Sequence, residues 1–173
     1  MIESCENLNN QAIELASQGE YKEAIACFIK AISLNRENYL LWFNLGLTYR
    51  DSGNFEDAKT AIEKAFVLNP EDEEVIEALA VLNYGMSNFE EAMDYCVLGL
   101  QLNEHNYHLW NTMGVIYFNT ANYEDACEAF EQALCINPYD YDALYNLRDT
   151  YEELHNESGV KECISRMKTL EHR

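Results

Sequence analysis

The sequence predicts an all-α fold of stacked antiparallel helix pairs, and three observations predict it. A six-residue phrase returns every 34 residues: GEYKEA at Gly19–Ala24, GNFEDA at Gly53–Ala58, SNFEEA at Ser87–Ala92 and ANYEDA at Ala121–Ala126. With the chain written in rows of 34, Trp42 and Trp110 share one column, and Pro70 and Pro138 another. Each row also carries two apolar stripes at helical spacing. In the second row Trp42, Leu45, Gly46 and Tyr49 lie at i, i+3, i+4 and i+7, and Ala58, Ile62 and Ala65 mark a second face. An even period without insertions is the mark of one supersecondary unit stacked on copies of itself.

The rows run over residues 5–38, 39–72, 73–106 and 107–140, with a weaker fifth over 141–173, all within one expected domain of 1–173. Each opens with a helix, turns a corner at the repeated phrase and closes with a second helix. Gly53 is expected to end the first helix in the left-handed conformation. Asn54 is expected to cap the second, with Glu56 and Asp57 at its positive end and Phe55 plugging the corner. Ala58 lets the two helices approach. Gly46 and Gly114 sit mid-helix, where glycine costs about 1 kcal/mol against alanine; a neighbouring helix packed on the missing side chain accounts for that, and Ala12 and Ala80 hold the same column. The third row departs at Ile76, Asn83 and Gly99 and is expected to fold more loosely. The fifth has Arg148 in the small-residue column and HNESG at the corner, so it reads as a degenerate pair or as one helix plus a solvating cap. Lys161, Arg166, Lys168 and Arg173 put positive charge where the last helix dipole favours it.

Composition narrows the function. The chain of 173 residues is 48% hydrophobic, ordinary for a folded protein, and carries a net charge of −20. From Ala65 to Leu147 there is no lysine or arginine, against fifteen acidic residues. Nucleic-acid binding rests on basic side chains displacing counterions, so that class is disfavoured. The acidity serves either as a solvated surface or as attraction for a basic partner. No secretory signal or membrane-length apolar run is visible, which makes a cytoplasmic protein without membrane insertion the expectation. The six cysteines are scattered and read as free, buried or half-buried thiols. No phosphate loop or nucleophile–base set occurs. Glu104, His105 and His108 form the one metal-like cluster, in which two histidines three apart could share a metal but no third strong ligand has the right spacing. No enzyme activity, metal or cofactor is expected.

WFNLGLTY at Trp42–Tyr49, WNTMGVIY at Trp110–Tyr117, and ANYEDACEAF with Ala133 and Pro138 resemble the two helices of the tetratricopeptide repeat (TPR). The resemblance implies a right-handed superhelix, an α-solenoid, whose concave face is lined by the first helices and takes a peptide segment of another protein. Carried onto this chain, the groove comprises Asn10, Leu40, Phe43, Asn44, Leu47, Val81, Tyr84, His108, Asn111, Thr112, Val115, Phe118, Tyr145 and Asn146. The asparagines suit a peptide backbone, because an amide both donates and accepts. The apolar residues suit apolar anchors. Relatives that hold acidic chaperone tails use a lysine-rich clamp; here Asn44 matches its asparagine, but Asn9, Glu74 and Ala78 stand at the cationic positions. A neutral or basic peptide bound by an adaptor or scaffold is therefore expected. The rivals are a self-associating component, dimerising weakly through the N-terminal helix at Leu8, Ile13 and Leu15, and a small secretion-type chaperone for an apolar client.

Overall fold

The structure, a computed structural model, describes residues 4–171. Within them lie ten α-helices and no strand. They are α1 (Cys5–Ser17), α2 (Tyr21–Leu34), α3 (Tyr39–Asp51), α4 (Phe55–Leu68), α5 (Glu73–Gly85), α6 (Phe89–Leu102), α7 (Tyr107–Asn119), α8 (Tyr123–Ile136), α9 (Tyr141–Glu153) and α10 (Glu157–Glu171). None is long and apolar enough to cross a membrane. The charge of Arg173, expected at the end of the last helix, lies outside the described residues.

The chain forms two compact units, residues 1–86 with α1–α5 and residues 87–173 with α6–α10. In the first unit Leu8 and Ala12 of α1, Phe28, Ala31 and Ile32 of α2, Leu41 and Leu45 of α3 and Ala61 of α4 make one core. One helix pair thus buries its flank on the next, and a fully buried side chain such as Phe28 contributes about 2–3 kcal/mol. The second unit repeats the arrangement with Ala126, Phe130 and Ala133 of α8, Leu144 and Leu147 of α9, and Cys163 and Met167 of α10.

Local chemistry explains the period. Ser4, Asn38, Asp72, Asn106 and Asp140 stand 34 apart, and each side chain caps the first helix of its row by accepting a backbone N–H. Each tryptophan anchors the loop before its helix: Trp42 Nε1 donates to Arg36 O and Trp110 Nε1 to Glu104 O, both at 2.9 Å. The small columns are close contacts, as expected. A Cβ on Gly46 would overlap Ile62 Cγ1, and one on Gly114 would stand 2.5 Å from Phe130 Cε1.

Three expectations need correction. Asn54 makes no side-chain cap; its Nδ2 donates to Ser52 Oγ at 3.0 Å instead. Phe55 is 50% exposed and does not plug its corner. Leu8, which the rival self-association reading needs open, is only 2% exposed, because α2 and α3 close over it. Of the two readings of the fifth row the structure shows the helix pair: α9 and α10 are both present, and the small residue has moved. Gly159 of α10 lies under Tyr151 of α9, where a Cβ would meet Cδ2 at 2.5 Å. This replaces the contact that Arg148 precludes. Asn156 caps that helix, accepting from Gly159 N at 3.1 Å. In the third row, α5 and α6 keep the same 13 and 14 residues as the helices of the other complete rows, and buried Asn83 donates to Leu79 O at 2.9 Å.

The corner residue has positive φ in every row: 80° at Gly19, 82° at Gly53, 63° at Ser87, 59° at Ala121 and 54° at His155. A side chain in this region costs about 1–2 kcal/mol, which the greater freedom of unfolded glycine offsets only in part. Replacing Ala121 with glycine should therefore stabilise by about 0.5–1 kcal/mol, raising the thermal midpoint by about 1–4 °C for a chain of this size. A fall would show that the Ala121 corner is not strained.

None of the six cysteines, all among the described residues, forms a disulfide. Cys96, Cys127 and Cys163 are buried and Cys135 is exposed. Burial first, then the nearby Glu131 carboxylate, pushes the Cys127 thiol up to about 11, so it packs as a small apolar side chain.

Candidate peptide-binding site

The expected groove residues are described unit by unit. In the first, Asn10 and Leu40 are exposed, Asn44 and Leu47 half-buried, Val81 exposed and Tyr84 half-buried. Phe43 is 8% exposed. A guest could touch its edge but could not enclose it, so it belongs to the floor. Asn44 is not free-standing: its Nδ2 donates to Asn9 Oδ1 at 3.3 Å, across from α3 to α1.

In the second unit His108 and Tyr145 are exposed, and Asn111, Val115, Phe118 and Asn146 half-buried. Thr112 is 8% exposed and its hydroxyl donates to His108 O at 2.9 Å, which removes it from ligand contact. Asn146 Nδ2 donates to Asn111 Oδ1 at 3.2 Å, from α9 to α7. Val115, Phe118 and Asn146 surround a cleft of about 30 Å³ floored by Phe130, room for one water or one methyl group. Phe118 is steadied by the edge of Tyr123, with ring centroids 5.5 Å apart.

Sequence reasoning missed that these asparagines work in pairs. By sequence Asn9 is only a clamp position lacking its cation, yet it stands three periods of 34 residues before Asn111. That shared column was the available signal. Pairing fixes each amide while leaving part of its valence open. Of the pair's four N–H groups one is used, and the Oδ1 of Asn44 or Asn146 stays uncommitted in these contacts.

Arg148 also acquires a role. Its guanidinium donates to Asp149 from Nε at 2.9 Å and also from Nη2, lies 3.9 Å from Glu152 Oε1, and sits over Tyr145 at 4.1 Å from the ring centroid. The bond to Asp149 chiefly, and then that to Tyr145, raise its pKa against the opposing effect of burial. The cation is thereby engaged by its own unit. The cluster suspected of metal affinity is open to solvent: His105 is 3.9 Å from Glu104, both largely exposed, and among the described residues no group is arranged to hold a metal ion.

Comparison with known proteins fixes the family. The profile described as tetratricopeptide repeat matches residues 39–72 and 107–140, and a second, described as TPR repeat, matches 12–50; together they span more than half of the chain. The chain belongs to the tetratricopeptide repeat family. No curated protein sequence matches it. Among solved structures, this TPR chain is similar to MamA, at 22% identity and TM-score 0.86, with 93% of this chain and 94% of that one covered. It is also similar to MamA residues 41 to the end from Desulfovibrio magneticus, at 14% identity and TM-score 0.88, with 97% and 95% covered. YrrB, described as a TPR protein with an unusual peptide-binding site, matches at 22% identity and TM-score 0.76, with 95% and 84% covered. At these identities the shared property is the fold, an all-helical TPR solenoid.

Proposed function

We propose that this protein is a non-enzymatic adaptor that captures an extended peptide segment of another protein on the faces carrying its first helices. The observation that carries this is the paired amide. Asn9–Asn44 and Asn111–Asn146 are half-buried, held in place by one internal hydrogen bond, and keep donors and an acceptor for a peptide backbone. Leu40, Leu47 and Val81 on one unit, and Val115, Phe118 and Tyr145 on the other, supply apolar surface for alternate side chains. The YrrB likeness and the family's general use as scaffolds support the reading. A net charge of −20 favours neutral or basic segments.

Combining Asn44→Ala with Asn111→Ala should weaken capture of a native partner by about 1–3 kcal/mol per lost buried contact and leave the melting curve nearly unchanged. The check is affinity capture from native extract with wild type, this variant and Glu128→Lys on exposed α8. Capture that survives the asparagine changes but fails with Glu128→Lys rules the reading out.

A further inference from the structure

A row of the stack is closed on one side by the first helix of the next row. In the second unit α9 closes α8: Ala143 and Leu147, at i and i+4, share one core with Phe130 and Leu134, and Thr150 at i+7 is buried as well. In the first unit Leu41, Leu45 and Thr48 of α3 hold the same columns and are also buried. Among the described residues no helix follows α10, yet its flank keeps the receiving residues. Val160 stands in the column of Ala24, Ala58, Ala92 and Ala126, and Ile164 in that of Phe28, Ile62, Cys96 and Phe130. All of those are at most 1% exposed, whereas Val160 and Ile164 are only half-buried.

The opposite flank of α10 is occupied, since Cys163 and Arg166 face Glu131 and Leu134 of α8 across one cleft. Val160 and Lys161 line a second cleft of about 340 Å³, with Tyr151 and Glu152 of α9 and His155 at the corner. The carboxylates around it are engaged within the unit. Glu157 lies 3.7 Å from Lys161, Asp149 and Glu152 share Arg148, and Glu171 accepts from Tyr141 Oη at 3.2 Å. Exposed Lys168 makes no ion pair among the described residues. It stands in the column of Leu134, whose core includes Ala143 and Leu144 at the start of α9.

We propose that this flank docks an amphipathic helix of a partner protein, laid on α9 and α10 as α9 is laid on α8. The helix carries apolar residues at i, i+4 and i+7, because that spacing covers the same flank in the other rows. A carboxylate in its first turn meets Lys168, which stands where the covering helix begins. A second copy of the chain does not fit. In the covering columns its α1 offers Asn7, Gln11 and Glu14, all exposed, which leave no apolar group to bury, and each copy carries a charge of −20. The site goes beyond the groove reading, since neither asparagine pair takes part in it.

The probe is a fluorescein-labelled synthetic peptide of residues 72–85, read by fluorescence anisotropy against the intact chain. It carries the α5 helix with its Asp72 cap, Val75, Leu79 and Leu82 at the required spacing, and Glu73 and Glu74 in the first turn. Saturable binding is expected. Ile164→Asp should weaken it by roughly tenfold or more, and Lys168→Glu by about threefold. A peptide with Glu73→Lys and Glu74→Lys should bind Lys168→Glu more tightly than wild type, a reversal that misfolding cannot imitate. Asn44→Ala with Asn111→Ala, distant from α10 in sequence and contact, should leave peptide binding within about twofold, so that failure of this site and failure of the groove are distinguishable. Absence of saturable binding, or binding that neither α10 variant changes, overturns the proposal. Sedimentation in which wild type dimerises and Lys168→Glu does not would assign the flank to a second copy and overturn the partner helix.

Discussion

Replacing Phe130 with alanine should lower stability by about 3–5 kcal/mol, the largest loss expected from any single truncation in the second unit. Phe130 is fully buried in α8. Its ring lies over the bare backbone of Gly114, with Cε1, Cδ1 and Cζ between 2.5 and 2.8 Å from where a Cβ would stand. Leu144 and Leu147 of α9 belong to the same core. Collapse cannot fill the cavity, because the residue beneath has no side chain to swing into it. At about 2–4 °C per kcal/mol for a chain of this size, the midpoint should fall by roughly 10 °C. The converse change is informative. Gly114→Ala gains about 1 kcal/mol of helix propensity yet should still destabilise by about 1–3 kcal/mol, since the ring is hemmed in. Adding Phe130→Leu to Gly114→Ala should recover part of that loss. Calorimetry of the four proteins checks the cycle, and strict additivity would show that the two residues do not share one contact.

Leu8→Asp should unfold the N-terminal helix pair. Leu8 is 2% exposed and packed in one cluster with Ala12, Phe28 and Leu41. A carboxylate there would lie among apolar side chains, and with the lost apolar burial the cost is about 3–5 kcal/mol. Circular dichroism should show lost helix at temperatures where the wild type is intact. This matters for the self-association hypothesis, for which the sequence offers Leu8 as the natural probe. A dimer lost on changing Leu8 would report unfolding. Ile13, 46% exposed on α1, is the residue whose replacement by aspartate tests stacking. Full helicity in Leu8→Asp would show that α1 is not held as described.

The helices of the first four rows and their turns are legible in the sequence, because each depends on residues within one row. Caps at Ser4, Asn38, Asp72, Asn106 and Asp140, positive φ at the corner and small residues opposite Ile62 and Phe130 are local requirements, met once per row. The period multiplies the signal. Where a row breaks the pattern, the signal weakens. Gly159 beneath Tyr151 has no counterpart in the other rows, since there the close approach has moved from the first helix to the second.

Side-chain exposure is far less legible. Phe43 and Thr112 occupy groove columns, yet both are buried; Phe55 occupies the corner column and stands half in solvent. The sequence by itself determined the repeating helix pair, its family and the columns that share a helix face, since helical spacing settles which residues lie on one side. Only the tertiary structure decided that Asn9 holds Asn44 and that Asn111 holds Asn146. Those bonds join side chains about 35 residues apart, and whether two amides meet depends on how closely neighbouring first helices pack, which no spacing along a single chain records.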